Sequence, residues 1–347
     1  MGNHDIGVPF TDARVWFPWD TDDIESAAAA NLQQTFVLWV PLVLTGLAVA
    51  FAFRCGLFNI GGQGQYLAGS IAAVLIATEL PKAVDLPGGL LIVVTVVGAA
   101  LAGAALAGIA GFLKATVGAH EVVTTIMLNW IVIWVGSYFF GLGGPFQTES
   151  SVAVPSSEDI PEQAKLPVFW GDPLLQGLHI GVFVALAALV VYSLVLNRTT
   201  LGYEVRAVGH NPEAARYGGI SVARNYFLAM ATAGVFAGLA GALDVLGWEF
   251  RLDITSIQSS TIGFIGIAVA LLGRNTAVGV GLAALLFAAL DTGTSTRNLD
   301  PAIFNPELAT SLSVIIQGLI ILFVGADLIV LLAIRSLRRK RTSGAAA

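Results

Sequence analysis

The stretch PLVLTGLAVAFAFRCGLFNIGGQGQYLAGSIAA, from Pro41 to Ala73, sets a polar, glycine-rich interruption between two apolar runs. Its centre, GLFNIGGQGQ, contains four glycines and the uncharged amides of Asn59, Gln63 and Gln65. Glycine weakens a helix, and amide side chains both donate and accept hydrogen bonds without carrying charge. We therefore expect helical structure to break at this point, with polar groups gathered around the break.

The composition of the chain on either side of this break is that of a membrane protein. Of its 347 residues, 56% are hydrophobic and 12% are charged, and the mean hydropathy is +0.80. Soluble domains carry about 25% charged residues, and a helix needs about 20 apolar residues to span a bilayer. Because several runs reach that length, the sequence predicts an all-α, polytopic transmembrane bundle with discontinuous helices.

The apolar runs predict about nine membrane spans within a transmembrane domain at 36–334. The spans are 36–53, 63–79, 88–112, 121–141, 177–196, 226–248, 260–273, 276–295 and 309–334. The short pair at 260–273 and 276–295 also fits a re-entrant hairpin, which would remove two crossings and leave the sidedness of the others unchanged.

Basic residues are divided unevenly between the two sets of predicted connections. One set, together with the basic tail at 335–347, contains twelve of the 17 lysines and arginines, and the other set contains five. The positive-inside rule assigns the first set to the cytoplasm. The sequence thus predicts a multi-pass protein of the cell membrane, embedded in lipid, with its C-terminus in the cytoplasm and its N-terminus outside.

Two segments are predicted to lie outside the membrane. The N-terminal segment at 1–35 is polar and acidic and shows no signal peptide, although this topology requires it to cross the bilayer. Either it inserts directly, or a further transmembrane helix precedes Met1 in the natural gene product; we favour the second explanation. The loop at 142–176 contains five prolines and is predicted to be an extracytoplasmic connection with little regular structure.

The predicted cytoplasmic loop at 197–225 has a different character. Within its NPEAARYGG motif, Asn211 is suited to cap a short helix that begins at Pro212. Glu213 would lie in the first turn, and Gly218–Gly219 would end the helix. A short helix displayed on the cytoplasmic face suggests a docking element.

The sequence lacks the motifs of several enzyme classes. It has no G-x-x-x-x-G-K-[ST] phosphate loop, no H-E-x-x-H and no G-x-S-x-G, so no catalytic residue is predicted. Cys55 is the single cysteine and the four histidines are dispersed, so no metal site is predicted either. Asp244, Asp291 and Asp327 lie within predicted spans without a catalytic motif around them, and an intramembrane enzyme would require two of them to converge.

Four sequence blocks, in the expected order, resemble one family of transport proteins. The Pro41–Ala73 run resembles the signature region of ABC-importer permeases in the branched-chain amino acid/ribose/nucleoside superfamily. Its GLFNIG-x-x-GQ element is most similar to the larger permease of general nucleoside and simple-sugar uptake systems. The other blocks are HEVVTTIMLNW (His120–Trp130), GYEVRAVGHNPEAARYGGI (Gly202–Ile220) and GFIGIAVALLGRN (Gly263–Asn275).

This resemblance implies the membrane-spanning half of an importer. The implied partners are a second permease subunit, two cytoplasmic ABC ATPases that use the ATP, and an extracytoplasmic solute-binding lipoprotein. It implies no cofactor on this chain and no nucleic acid. The sequence departs from the family pattern at two points. Family members usually carry a transmembrane helix before the position of Phe36, and they often carry Glu where Gln63 stands, which bears on substrate preference.

Uncharged polar residues within the spans are the candidates for the substrate pathway. These candidates are Asn59, Gln63, Gln65, Thr125 and Asn129. Thr125 and Asn129 share one helix face, and a polar face within a membrane turns towards protein or water. Their amides and hydroxyl could bind sugar hydroxyls or the edge of a base. The alternative is tight helix packing, in which the amides bond to backbone carbonyls and the glycines allow close approach.

The EAARYGG motif fits the EAA-x-x-x-G form of the coupling helices of ABC importers. The resemblance assigns ATPase coupling to Arg206, Glu213, Ala214, Ala215, Arg216 and Gly219. Small alanines would let the helix seat in a groove of the ATPase, and the charged side chains would set its orientation. The alternative is an ordinary basic cytoplasmic loop.

Together these features favour a non-enzymatic permease subunit of an ATP-driven importer that forms the pathway for nucleosides, with simple sugars as the second candidate. The competing hypothesis is an ion-coupled secondary transporter or channel for small polar solutes. Such a protein would use intramembrane carboxylates for coupling and would stop working when the ion gradient is dissipated. The coupling-helix motif argues against that hypothesis and against an intramembrane enzyme.

Overall fold

The computed structural model of the protein describes residues 29–148, 154–170, 177–295, 311, 313–320 and 322–323. The predictions for the first 28 residues, for Asp327 and for the basic tail at 335–347 lie outside these residues. So does most of the last predicted span at 309–334, of which the described residues are helical.

Between residues 29 and 295, the described residues form eleven α-helices, a short 3₁₀ turn, one π-helical turn and a small sheet. The helices are α1 (Ala29–Arg54), α2 (Gly62–Ala83), α3 (Gly88–Val117), α4 (Glu121–Phe140), α5 (Gly181–Arg198), α6 (Thr200–His210), α7 (Pro212–Tyr217), α8 (Val222–Asp244), α9 (Ile254–Ser259), α10 (Ile262–Leu272) and α11 (Ala277–Gly293). The 3₁₀ turn is Glu162–Ala164, the π-helical turn is Val245–Glu249, and the strands are β1 (Val168–Trp170) and β2 (Leu178–His179).

Six helical segments are long and apolar enough to cross a membrane. They are Ala29–Arg54, Gly88–Val117, Glu121–Phe140, Gly181–Arg198, Val222–Glu249 and Ile254–Leu272. The helix α11 is apolar but shorter. The chain is therefore a helical, polytopic membrane protein, as the composition predicts.

The helix α1 lies at the centre of the bundle and is buried along most of its length. It packs against α5, α8, α10 and α11, while α3 packs along α8 in the most extensive helix pair of the described residues. In that pair a Cβ atom on Gly103 would overlap the carbonyl of Gly234, and one on Gly234 would overlap the carbonyl of Gly103. Without a hydrophobic drive in lipid, such small-residue contacts let helix backbones approach and pack.

One end of the bundle gathers the basic residues, and we call it the basic end. There the C-termini of α1 and α5 meet helix α6 and the turn that joins α10 to α11. Arg54 at the end of α1 donates from Nε and Nη2 to the carbonyl of Asn275, at 3.0 and 2.7 Å. Lys114, near the end of α3, forms an ion pair of 2.8 Å with Glu121 at the start of α4.

At the opposite end, residues 154–170 are more ordered than the five prolines of the loop lead one to expect. Strand β1 pairs antiparallel with β2, so the fold is mostly rather than entirely helical. Backbone amides of Ser157, Ile160 and Leu166 donate to the carbonyls of Leu252, Phe250 and Leu246, at 2.8 to 2.9 Å. The segment is thus tied to the end of α8, through partners that its own composition does not reveal.

His179, in β2, is buried beneath this segment. Its Nδ1 accepts a hydrogen bond from the amide of Gly181 at 3.1 Å, and its ring lies against Gly247 of the π-helical turn. Burial lowers the pKa of the imidazole to about 4, because the charged form would lose its hydration. The side chain therefore serves as a neutral packing and hydrogen-bonding group.

Candidate functional site

Two helices, α2 and α10, begin inside the bundle rather than at either of its ends. Helix α10 has 11 residues between its start at Ile262 and the basic end, a rise of about 16 Å. That distance is half of a hydrocarbon core of about 30 Å. The start of α2 lies beside the start of α10, since a Cβ atom on Gly62 would be 3.3 Å from the carbonyl of Gly263. The chain reaches this depth through the non-helical residues 57–60.

A helix start presents backbone N–H groups that no carbonyl of its own helix can satisfy, which is costly in a membrane. The residues that precede the two helices, Gly61 and Thr261, make no side-chain capping bond. Asn129 of α4 caps α2 instead: its Oδ1 accepts from the amide of Gly64 at 2.8 Å, and its Nδ2 donates to the carbonyl of Ile60 at 2.9 Å.

Gln63 of α2 provides the corresponding contact for α10. Its Oε1 accepts a hydrogen bond from the amide of Gly263 at 2.8 Å. Its Nε2 is buried and has no hydrogen-bond partner among the described residues. The two helix starts are therefore joined through one amide side chain, which keeps a donor available for another oxygen atom.

The amides of Asn59 and Gln65 form a reciprocal pair beside these caps. The Nδ2 of Asn59 donates to the Oε1 of Gln65, and the Nε2 of Gln65 donates to the Oδ1 of Asn59, both at 3.0 Å. The Oδ1 of Asn59 also accepts from the amide of Gly61 at 2.9 Å. The Oγ1 of Thr125 donates to the carbonyl of Glu121 at 2.8 Å, and a Cβ atom on Gly61 would be 3.0 Å from the Cβ of Thr125. Thr125 thus packs against Gly61, at the start of α2.

The structure brings all five predicted pathway residues together in what we call the amide cluster: Asn59, Gln63, Gln65, Thr125 and Asn129. Each is at most 2% exposed. In this conformation the cluster satisfies the backbone of a broken helix, as the packing interpretation of the sequence expects. The pairing of these side chains with their backbone partners could not be read from the local sequence.

Polar side chains also reach the surface of the bundle next to the cluster, a feature that the sequence analysis missed. Gln258, Ser259 and Thr261 are exposed at the junction of α9 and α10, within two to five residues of Gly263. Gln258 donates from Nε2 to the Oγ of Ser137 on α4 at 3.2 Å. Because lipid cannot solvate such groups, this surface faces water or another protein chain. The signal in the sequence is the run QSST between apolar residues.

Two of the three aspartates within the predicted spans are described, and each has its own partners. Asp244 is buried and accepts a hydrogen bond from the hydroxyl of Tyr66. Asp291 accepts from Ser313 at 2.8 Å and from Gln317 at 2.7 Å. The two carboxyls share no partner among the described residues, so they do not form the paired site that an intramembrane enzyme would need.

Helix α7 forms at the basic end as the sequence predicts. The Oδ1 of Asn211 accepts from the amide of Ala214 at 3.1 Å, Pro212 is the first helical residue, and Gly219 follows the helix with a φ of 82°. Glu213, Ala214, Arg216 and Gly219 are exposed, whereas Ala215 is buried against the bundle.

Two side chains in this region differ in exposure from what the sequence suggests. Tyr217, which the sequence analysis did not single out, is 92% exposed and follows Glu213 by one helical turn. Arg206 does not join the exposed face of α7. It is half-buried on α6, beside a cavity at the basic end.

Comparisons with known proteins agree with this architecture. Residues 31–325 match the family described as branched-chain amino acid transport system / permease component. The chain is 36% identical, over 90% of its length and 84% of the relative's, to the nucleoside ABC transporter permease protein NupB of Lactococcus lactis subsp. cremoris. It is 38% identical, over 86% of its length and 82% of the relative's, to the guanosine ABC transporter permease protein NupP of Bacillus subtilis.

A third relative is named for a different cargo. The glucose ABC transporter permease protein TsgB13 of Haloferax volcanii is 37% identical, over 85% of this chain and 76% of the relative. No solved structure matches the chain significantly. The match to the family covers most of the chain, including both helix breaks and the exposed helix α7. The protein belongs to the branched-chain amino acid transport system / permease component family, and it is a non-catalytic permease subunit of an ABC transporter.

Proposed function

We propose that this permease carries nucleosides into the cell, with simple sugars as the second candidate cargo. Two of the relatives are a nucleoside permease and a guanosine permease, and the third is a glucose permease. The side chains of the amide cluster carry no charge, which suits a solute that binds through hydroxyls and base edges. The uncharged polar groups at mid-membrane depth are the observation that carries this proposal.

The pathway runs, in this proposal, along the surface where the α9–α10 junction meets α4. Gln258, Ser259 and Thr261 are exposed there, and a polar surface in a membrane needs water or protein against it. The amide cluster lies directly behind this surface. Alternating access would part α4 from α2 and expose Asn59, Gln63, Gln65, Thr125 and Asn129 to the solute.

The starts of discontinuous helices favour oxygen atoms of a solute at this depth. The N-terminal ends of α2 and α10 both present the positive end of a helix dipole to the cluster. Gln63 adds as a donor its Nε2, which has no hydrogen-bond partner in the described part of the chain. A hydroxyl or carbonyl oxygen of a nucleoside would complete these contacts, whereas a cationic solute would be repelled.

The topology that accompanies this function has about nine spans, with the segment formed by α9 and α10 crossing the membrane once and α11 crossing it back. The basic end faces the cytoplasm, as the positive-inside rule requires, and the C-terminus lies on that side. The acidic N-terminal segment at 1–35 and the loop at 142–176 then lie outside, and 197–225 forms the coupling loop.

One of the expected partners has a candidate docking surface at the basic end. The face of α7 formed by Glu213, Ala214, Arg216 and Tyr217 docks one of two cytoplasmic ATPases, which hydrolyse the ATP. Arg206 and Gly219 border this helix, and the buried Ala215 seats it on the bundle. A second permease subunit completes the pathway, and an external solute-binding lipoprotein delivers the cargo.

Uptake by the reconstituted transporter tests the cargo. Proteoliposomes that contain the permease, its ATPases and its second permease, with the solute-binding lipoprotein supplied outside, should accumulate radiolabelled guanosine when ATP is supplied inside with the ATPases. Excess glucose should not compete. Gln258→Ala and Thr261→Val should each raise the KM for guanosine about tenfold, the cost of one lost hydrogen bond to the solute.

The control for these variants is Thr116→Val, which removes an exposed hydroxyl from α3 at the basic end. This variant should leave the KM unchanged. Uptake of glucose without uptake of guanosine would establish the second candidate cargo. Uptake that persists without ATP and collapses with an ion gradient would overturn the importer in favour of a secondary transporter.

A further inference from the structure

A second polar site lies at the basic end, away from the amide cluster. It is a cavity of about 240 Å³ between the C-termini of α1 and α5, helix α6 and the turn from α10 to α11. The polar residues that line it are Arg54, Tyr192, Ser193, Asn197, Arg206, Asn275 and Thr276. We call it the arginine cavity. Its volume corresponds to about eight water molecules, enough for a small ionic group with part of its substituent.

Two arginines line this cavity, and none of the described residues that line it is acidic. Arg54 is oriented by the carbonyl of Asn275, which also accepts from the hydroxyl of Tyr192 at 2.9 Å. Arg206 donates from Nε to the carbonyl of Gly202 at 3.2 Å. Within the described parts of the chain, no acidic side chain forms an ion pair with either arginine. Neutral carbonyls therefore hold both guanidinium groups in place without compensating their charges.

The start of helix α11 adds backbone donors to the same cavity. Thr276 is its N-cap and accepts from the amide of Gly279 at 3.1 Å. Ala277 and Val278, the first two helical residues, also line the cavity, and their amides have no acceptor within the helix. A helix start of this kind favours negative charge through its dipole. The left-handed residue Asn275, with a φ of 54°, turns the chain so that α11 begins here.

We propose that the arginine cavity binds a negatively charged phosphate group. Two guanidinium groups, the backbone N–H groups of a helix start and the hydroxyl of Ser193 match the several acceptor oxygens of phosphate. The group belongs either to the headgroup of an anionic phospholipid or to a free phosphate. Once bound, it bridges α1, α6 and α11 and fixes α6 against the bundle. Its influence on the helix α7 that follows rests on the proposed coupling function.

Binding to the purified transporter, with all its subunits, tests this site directly. The probes are inorganic phosphate, and phosphatidylglycerol presented in phosphatidylcholine nanodiscs. Native mass spectrometry counts the retained phosphatidylglycerol, and thermal unfolding reports the binding of inorganic phosphate. Arg206→Gln should weaken binding of the responsive probe about tenfold, the cost of one charge-assisted contact.

A second variant keeps the test independent of the arginines. Val278 is 75% exposed, so Val278→Glu should fold normally and should repel the anion from the mouth of the cavity, with a comparable loss of binding. Arg224→Gln removes an exposed basic residue of the same end that does not line the cavity, and should leave binding unchanged. This control separates a specific site from a general attraction of basic residues for anions.

The two sources of phosphate give different results. If a lipid occupies the cavity, wild-type protein keeps phosphatidylglycerol in excess inorganic phosphate, and both variants lose it. If free phosphate occupies it, inorganic phosphate raises the melting temperature of wild-type protein and of Arg224→Gln, and does so less for the two variants. The proposal is overturned if Arg206→Gln and Val278→Glu bind both probes as tightly as wild-type protein. Transport of guanosine plays no part in this readout, so failure here leaves the proposed cargo untouched.

Discussion

Helices begin in two different ways at the basic end and at the middle of the membrane. At the basic end, Thr199, Asn211 and Ser221 each cap the helix that they precede, by accepting from an amide three residues later. At mid-membrane depth, Gly61 and Thr261 make no such bond, and Asn129 and Gln63 cap the helices from elsewhere in the bundle. A local cap needs only its own segment, whereas a remote cap exists only in the assembled fold.

The largest loss of stability is expected from a substitution at Gly64, where the remote cap requires the backbones of α2 and α4 to lie close together. In Gly64→Val the new Cβ atom would lie 2.7 Å from the Oδ1 of Asn129 and 2.8 Å from its Cα. Because helix α4 must move away and release the cap, we expect a loss of about 3 kcal/mol of stability. Thermal unfolding in detergent measures it. Gly89→Val is the control, since no atom lies within 4 Å of the added Cβ. Equal melting temperatures for the two variants would show that α4 does not pack as described.

A smaller loss is expected when the remote cap alone is removed. Asn129→Leu keeps the branching and the number of heavy atoms of the side chain but leaves the amide of Gly64 and the carbonyl of Ile60 without their partners, at a cost of about 2 kcal/mol. The melting temperature should fall clearly, and that of Met127→Leu, whose side chain is 60% exposed on the same helix, should not. An unchanged melting temperature for Asn129→Leu would mean that the two backbone groups find other partners.

Removal of a local cap should destabilise only the helix that it caps. Asn211→Ala deletes the acceptor for the amide of Ala214 and should destabilise α7 by about 1 kcal/mol. Hydrogen exchange of residues 212–217 should then accelerate about fivefold, without a change in the global melting temperature. Asn211→Ser retains a capping oxygen and should exchange like the wild type. A global loss of stability in Asn211→Ala would contradict the contrast between local and remote caps.

The smallest effect on stability is expected on the exposed face of α7. Glu213→Lys combined with Arg216→Glu reverses two exposed charges, so the melting temperature should change by no more than that of ordinary surface variants, within about 0.5 kcal/mol. The variant should nevertheless lose the ATPase in a pull-down from membranes. Asp85→Lys, an exposed reversal outside α7, should retain it. If the ATPase stays bound to the double variant, α7 is not the docking element.

The same contrast explains which features could be predicted from the sequence. The cap and bounds of α7 were predictable because Asn211, Pro212 and Gly218 lie within eight residues of one another, and the helical break at GLFNIGGQGQ was predictable from its glycines. The bond from Gly263 to Gln63 joins residues 200 positions apart, and that from Gly64 to Asn129 joins residues 65 apart. Composition indicates that such amides need partners, but only the packed helices determine which partners they find.

The polar groups outside the amide cluster show a second limit of local sequence. Asp244 was evident as an intramembrane carboxyl, but its partner Tyr66 lies 178 residues away. The order of residues 154–170 was also missed, because their amides bond to carbonyls between Leu246 and Leu252. In each case the physical reason is the same, since the stabilising groups belong to an element that is distant in sequence.

Helix α8 connects the two ends of the bundle in one long helical segment. With its π-helical turn it runs for 28 residues, about 42 Å, from Val222 to Glu249. One end follows α7 directly, with the amide of Ile220 bonded to the carbonyl of Ala215, and the other end is tied to residues 154–170. A tilt of about 10° would displace its far end by about 7 Å. A displacement at one end of the bundle would therefore be transmitted to the other end by a rigid-body tilt of α8. No series of side-chain rearrangements would be needed in between.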